Sequence, residues 1–250
     1  MTPDLLPWLT VGVLLIAFLY SSVGHAGASG YIAVMTLFAL APEVIKPTAL
    51  ALNILVASIG AWHFWRAGHF RWQLFWPFAV LGIPAAFLGG YLNLPADVFK
   101  IVVGVVLLFS ATRFIIDPRE AIESSPPQRP IALVVGGLLG LLAGLTGTGG
   151  GIFLTPLMIL MRWAPTKAAA ATSVAFILCN SIAGLLGNLN ATRTFPTFAL
   201  ILAVAAMVGG AAGSYLGSHR FSPVLIKRLL AAVLIIAGLK LVGIALPWTY

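Results

Sequence analysis

The chain has 250 residues, of which 60% are hydrophobic and 8% charged, and its mean hydropathy is +1.06. Soluble domains carry about 25% charged residues, so this sequence cannot clothe a water-facing surface and reads as an integral membrane protein. Its net charge of +8 does not mark a nucleic-acid partner, because the 14 Lys and Arg residues stand singly at the ends of apolar runs, as where cations meet lipid headgroups.

Long apolar runs separated by short polar joints predict helices rather than the alternating strands of a barrel. No Lys or Arg precedes the first run, so it is read as a retained membrane helix and not a cleaved signal peptide. Residues 5–41 are too long for one crossing of about 20 residues and are interrupted by GHAGASG at 24–30. Runs at 47–65, 72–92 and 98–116 each fit one crossing, and the polar segment DPREAIESSPPQRP at 117–130 then joins two halves. Residues 131–163 are again too long and are interrupted by GTGGG at 147–151; runs at 166–188, 196–216 and 224–246 complete the chain. The single cysteine, Cys179, excludes an intramolecular disulfide.

The halves resemble each other. HAGASGYIAVMTLFALAP (25–42) matches TGTGGGIFLTPLMILMRWAP (146–165) with Gly30 on Gly151, GGYL (89–92) matches GSYL (213–216), and VFKIVVGVVLLFSATRF (98–114) matches LIKRLLAAVLIIAGLKL (225–241). A tandem duplication follows, with repeats at 1–116 and 131–250 around a 117–130 linker. If each long stretch crossed once, the basic residues would divide seven against seven. If each enters, turns at its glycines and returns, only Lys46, Lys100, Arg193 and Lys240 stay on one side, against ten on the other. The positive-inside rule selects the second arrangement, with the linker in the cytoplasm and both termini outside. One hairpin plus three crossings per half is an odd total, so the expected fold is an all-α polytopic membrane protein of two inverted-topology repeats.

At a hairpin tip inside the membrane, backbone N–H groups lose their partners and must be buried in protein or line a cavity. The returning helices are expected to begin near Ser29–Tyr31 and Gly150–Ile152, aiming free N–H groups and dipole-positive ends inward, which suits an anion. All six carboxylates fall in terminal, loop or linker positions, which argues against a cation pathway. Candidate anion-binding residues are therefore Thr148, Gly149, Gly150 and Gly151 at one tip and His25, Gly27, Ser29 and Gly30 at the other. Asn53, Thr172, Ser173 and Asn180 are added as polar residues within the crossing that follows each tip; each needs a partner at that depth, whether another helix or a ligand. His63 and His69, among four tryptophans between 62 and 76, are assigned to an interfacial aromatic belt without chemistry.

GLTGTGGGIFLTPLM (144–158), followed by AAAATS at 168–173, resembles the signature of the sulfite exporter TauE/SafE family, and GHAGASGYIAV with TALALN at 48–53 resembles a degenerate copy of it. The resemblance implies a bacterial inner-membrane transporter of small sulfur-containing anions such as sulfite, thiosulfate or organosulfonates; separately, no cofactor and no bound metal are expected. A homodimer is compatible with it. Ala28 and Ser29 depart from the pattern, standing where the second half has glycines. An enzyme is not expected, since no His/Glu pair at helical spacing or mid-span carboxylate is present. A passive anion channel and a membrane assembly factor are the alternatives.

Overall fold

The structure is a computed structural model, and it describes residues 5–38, 40–92, 108, 111–112, 114–116, 124–193 and 197–245. The 98–116 span, apart from the few residues just given, and the 117–123 part of the linker lie outside them, as do both terminal tips. Nine helices are described over their length: α1 Leu6–Ser22, α2 Ala28–Leu37, α3 Pro42–Arg66, α4 Trp72–Tyr91, α5 Arg129–Thr146, α6 Gly151–Leu160, α7 Thr166–Thr192, α8 Phe198–Tyr215 and α9 Pro223–Ala245. A π-helical turn, Leu216–Arg220, extends α8. Five helices are long and apolar enough to cross a membrane: Glu43–Arg66, Trp72–Tyr91, Arg129–Thr146, Thr166–Thr192 and Phe198–Arg220. No strand occurs among the described residues. The chain is an all-α polytopic membrane protein.

Both over-long stretches break where the glycines stand. α1 and α2 are separated by residues 23–27, and α5 and α6 by residues 147–150. The second returning helix begins inside its expected window, at Gly151, but the first begins at Ala28, one residue early. The reason lies in the backbone. Gly27 and Gly150 are the residues that precede the returning helices, and both are left-handed, with φ of 100° and 80°. Only glycine adopts that region without strain. Gly27 is thus the structural counterpart of Gly150, whereas Gly30, which letter matching set on Gly151, sits within α2 against Ile16 and Tyr20 of α1.

Helix directions follow from the register of contacts. Leu14, Phe18 and Ser22 of α1 face Gly209, Gly213 and Gly217, so α1 and α8 run the same way. Phe78, Gly82 and Ala86 of α4 face Gly136, Gly140 and Gly144, so α4 and α5 also run together, and Gly82 and Gly90 place α7 alongside them at Phe176 and Gly184. Val56 meets Gly210 and Gly60 meets Ser214, which sets α3 along α8. Across the centre the order reverses. Leu50 packs near Gly184 and Gly60 near Val174, so α3 and α7 are antiparallel. The helices form two sets, α1, α3 and α8 in one direction and α4, α5 and α7 in the other. Two buried clusters match this division: one centred on α1, α2 and α3, the other on α4, α6 and α9, with α7 contributing to both.

Glycines at four-residue spacing bring backbones together in both sets. A Cβ on Gly136, Gly140 or Gly144 would strike a carbonyl of α4, and one on Gly209, Gly213 or Gly217 a carbonyl of α1. Helix association in lipid depends on such close packing, since burial of apolar surface adds little there. Gly140→Val should therefore force α4 and α5 apart, costing about 1–3 kcal/mol or more and lowering the yield of monodisperse protein. Gly137→Val should be mild, because its nearest neighbour is the Leu81 side chain at 3.3 Å. Thermal midpoints in detergent check the contrast; equal losses would refute the packing assignment.

Candidate functional site

The two hairpin tips come together around one side chain. Asn53, about halfway along α3 and fully buried, accepts the Ala28 N–H through Oδ1 at 3.0 Å, at the N-terminus of α2. Its Nδ2 donates to the Thr148 carbonyl in the other tip and to Ser181 Oγ on α7, both at 3.3 Å. A second link runs from His25 Nε2 to Thr155 Oγ1 on α6, 2.9 Å apart, so the two hairpins are joined once through Asn53 of α3 and once directly. Thr148 Oγ1 is closed against Thr146 Oγ1 at 2.8 Å, and Ser29 Oγ donates to Tyr20 Oη at 3.1 Å.

The glycines at the second tip leave no room for a side chain without a shift of their neighbours. A Cβ on Gly149 would lie 2.8 Å from Asn53 Nδ2 and 2.9 Å from Ser181 Oγ; one on Gly151 would run into the Ile177 side chain. Gly150 combines its positive φ with neighbours at 3.1 Å: Ala143, the Leu139 carbonyl and Phe176. The tips therefore pass directly over the middle of α3 and over the Ser173–Ile177–Ser181 side of α7.

Of the twelve residues singled out in the sequence, Asn53, Ala28-adjacent Gly27 and Ser29, His25, Thr148 and Gly149–Gly151 belong to these tips or their contacts. Gly30 is part of the α1–α2 packing instead. Thr172, Ser173 and Asn180 on α7 are each fully buried, and Thr172 Oγ1, Ser173 Oγ and both polar atoms of Asn180 have no hydrogen-bond partner among the described residues. Thr48 Oγ1 on α3 is in the same state. Burying an amide or hydroxyl in this way costs about 1–3 kcal/mol each unless a further partner completes the bond.

Sequence reasoning missed a second polar region. The turn between α3 and α4 and the first residues of α7 and α9 enclose a pocket of about 230 Å³, lined by Gly68, His69, Arg71, Pro165, Lys167, Ala168 and Pro223. His69 Nε2 donates to the Ser218 carbonyl in the π-helical turn at 3.1 Å, and Lys167 Nζ donates to the same oxygen at 3.2 Å. Partial burial holds the His69 imidazole below its ordinary value; the bond to Ser218 opposes this, and the charges of Lys167 and His219 add to it. A signal for the region was present. Arg71 and Lys167 stand at the beginnings of α4 and α7, where the helix dipole disfavours cations. His63, from the same aromatic stretch, bonds Ser214 Oγ on α8 at 2.8 Å, while Trp62, Trp65 and Trp72 are more than half exposed, as a headgroup belt requires.

Comparison with known proteins gives the arrangement a family. The profile of the sulfite exporter TauE/SafE family matches residues 9–241. The probable membrane transporter protein y4hK of Sinorhizobium fredii is 39% identical over 93% of this chain and 96% of its own length. The probable membrane transporter protein YjnA of Bacillus subtilis is 26% identical over 92% of this chain and 96% of its own. A probable membrane transporter protein of Xylella fastidiosa is 27% identical over 80% of this chain and 81% of its own. No solved structure matches. The chain belongs to the TauE/SafE family of multi-pass membrane transporters.

Proposed function

We propose that the chain is a secondary transporter of small sulfur-containing oxyanions, sulfite or organosulfonates among them, built of two inverted-topology repeats at 1–116 and 131–250. The anion binds where the N-termini of α2 and α6 approach Asn53, between the tip residues His25, Gly27, Ser29 and Thr148–Gly151 and the polar groups Thr172, Ser173 and Asn180. The observation that carries this reading is the set of fully buried polar atoms on α7 with no hydrogen-bond partner among the described residues, on a helix whose Ser173 backbone lies against Gly151 at the start of α6. Helix N-termini and neutral donors suit an oxyanion and need no buried cation. The opposite directions of α3 and α7 support the inverted arrangement, in which a broken-helix site serves both membrane faces in turn. The distribution of basic residues supports a cytoplasmic linker and external termini in a bacterial inner membrane.

Vesicles reconstituted with the protein test the substrate class. Sulfite, thiosulfate and taurine should compete for one saturable flux that a pH gradient alters, while nickel and sodium should not compete. Linear, gradient-insensitive flux would indicate a channel, and nickel uptake without an anion effect would overturn the proposal.

Two variants test the site. Gly150→Val places a β-branched side chain at φ 80° and fills the space between Ala143 and Phe176, so transport should be lost while the protein still inserts. Gly137→Val should retain most of it. Asn180→Leu removes a buried amide that has no partner among the described residues, so stability should hold or rise. Transport should nevertheless fall about tenfold or more, the loss of a charge-assisted bond. Wild-type transport by Asn180→Leu would remove Asn180 from the site.

A further inference from the structure

We infer that the pocket lined by His69, Arg71 and Lys167 is a second oxyanion site, at the membrane face where the linker joins, separate from the hairpin tips. The inference rests on the reading of the chain as an anion transporter and names where the anion is held before or after crossing.

Two independent features point the same way. The first is a cavity of about 230 Å³ whose lining brings together two basic side chains and an imidazole from two elements distant in sequence, with no carboxylate among its lining residues. The second is the direction of the surrounding helices. α4 begins just after Arg71, α7 begins at Thr166 and α9 at Pro223, so three helix N-termini open on the pocket that already holds the two cations. Cations and dipole-positive ends repel each other; the Ser218 carbonyl offsets this for Lys167 and His69 but not for Arg71, and an anion between them would offset it for all three. The bonds from His69 and Lys167 converge on the Ser218 carbonyl, an acceptor within the π-helical turn that holds both side chains at the pocket wall. π-Turns recur at functional sites. Lys167 keeps further N–H donors beyond the one given to Ser218, and the Arg71 guanidinium can meet two oxygens at once.

The face is the linker face. Ser125 N–H donates to the Arg162 carbonyl at 3.0 Å, and residues 162–165 lead directly into α7. Lys46 supplies a parallel on the opposite face: near the start of α3, the counterpart of α7, its Nζ donates to the Gly90 carbonyl at 3.4 Å, near the end of α4. Each central helix thus begins near a lysine bonded to a carbonyl at the far end of a neighbouring crossing. The ligand chemistry is a small oxyanion head, carried either by the soluble substrate or by the phosphate of a lipid headgroup.

Radiolabelled sulfate and thiosulfate, measured by scintillation proximity on the full chain in phosphatidylcholine nanodiscs, test the site. Wild-type protein should bind sulfate saturably. Lys167→Gln and Arg71→Gln should each weaken binding about tenfold or more, Lys167→Arg should restore most of it, and Arg193→Gln, at the other end of α7, should change nothing. Repeating the titration with phosphatidylglycerol in the nanodisc separates the sources. A wild-type affinity that falls with anionic lipid, and does not fall in Lys167→Gln, makes the lipid phosphate an occupant; an unchanged affinity makes the soluble anion the occupant. Equal sulfate affinity in wild type, Lys167→Gln and Arg71→Gln, with transport intact, would overturn this site alone. Absence of both sulfate binding and anion transport in the wild type would overturn the transporter reading with it.

Discussion

A helix that ends inside a bilayer leaves its first N–H groups without water to bind them, and each must be covered by protein or face a polar space. In the proposed arrangement α2 and α6 begin in this way, and the side chains of α3 and α7 gather around them. α3 and α7 cross antiparallel through the centre and present Asn53, Ser173 and Ser181 to the two tips. Asn53 answers the constraint from both sides, taking the Ala28 N–H from one tip and giving a bond to the Thr148 carbonyl of the other. One amide therefore joins the two hairpin tips. Because its acceptor and donor face different hairpins, a displacement of either tip breaks a bond, which couples the hairpins to each other.

The outer helices serve this centre by packing at backbone distance. In the α4–α5 contact glycines stand on both helices, Gly136, Gly140 and Gly144 on α5 and Gly82 and Gly89 on α4, whereas in the α1–α8 contact they stand on α8 and its π-helical extension. Both contacts share close backbone approach, which small residues make possible. The returning helices α2 and α6 are each only ten residues long.

Much of this architecture could be read from the letters, for a physical reason. Apolar length fixes crossings, so the 72–92 and 224–246 runs differ from α4 and α9 by a single residue at each differing end. α3 begins five residues before its apolar run because Pro42 opens a helix well and Glu43 suits its first turn, while Pro47 is tolerated inside it. The GTGGG break was legible because several adjacent glycines have few uses other than left-handed backbone. The first tip was harder. Its decisive property is a φ value, and nothing in the letters distinguishes Gly27, which turns the chain, from Gly30, which packs on Ile16. Asn53, Thr172, Ser173 and Asn180 were visible as polar residues in apolar helices, but their partners depend on how α3 and α7 cross. The pocket at His69, Arg71 and Lys167 joins segments about a hundred residues apart, and the π-turn that organises it has no mark in the sequence.

The central claim is that the duplicated halves lie in opposite orientations, with two hairpins that return to the side they came from. Accessibility of single cysteines, introduced in a Cys179→Ser background and probed with a membrane-impermeant maleimide on intact cells, tests it most directly. Inverted repeats predict that cysteines at Leu5 and Arg193 react from outside, and that those at Gly68 and Ser124 react only after the membrane is opened. Labelling of Leu5 and Ser124 from the same side, or of Gly68 and Ser124 from opposite sides, would contradict it.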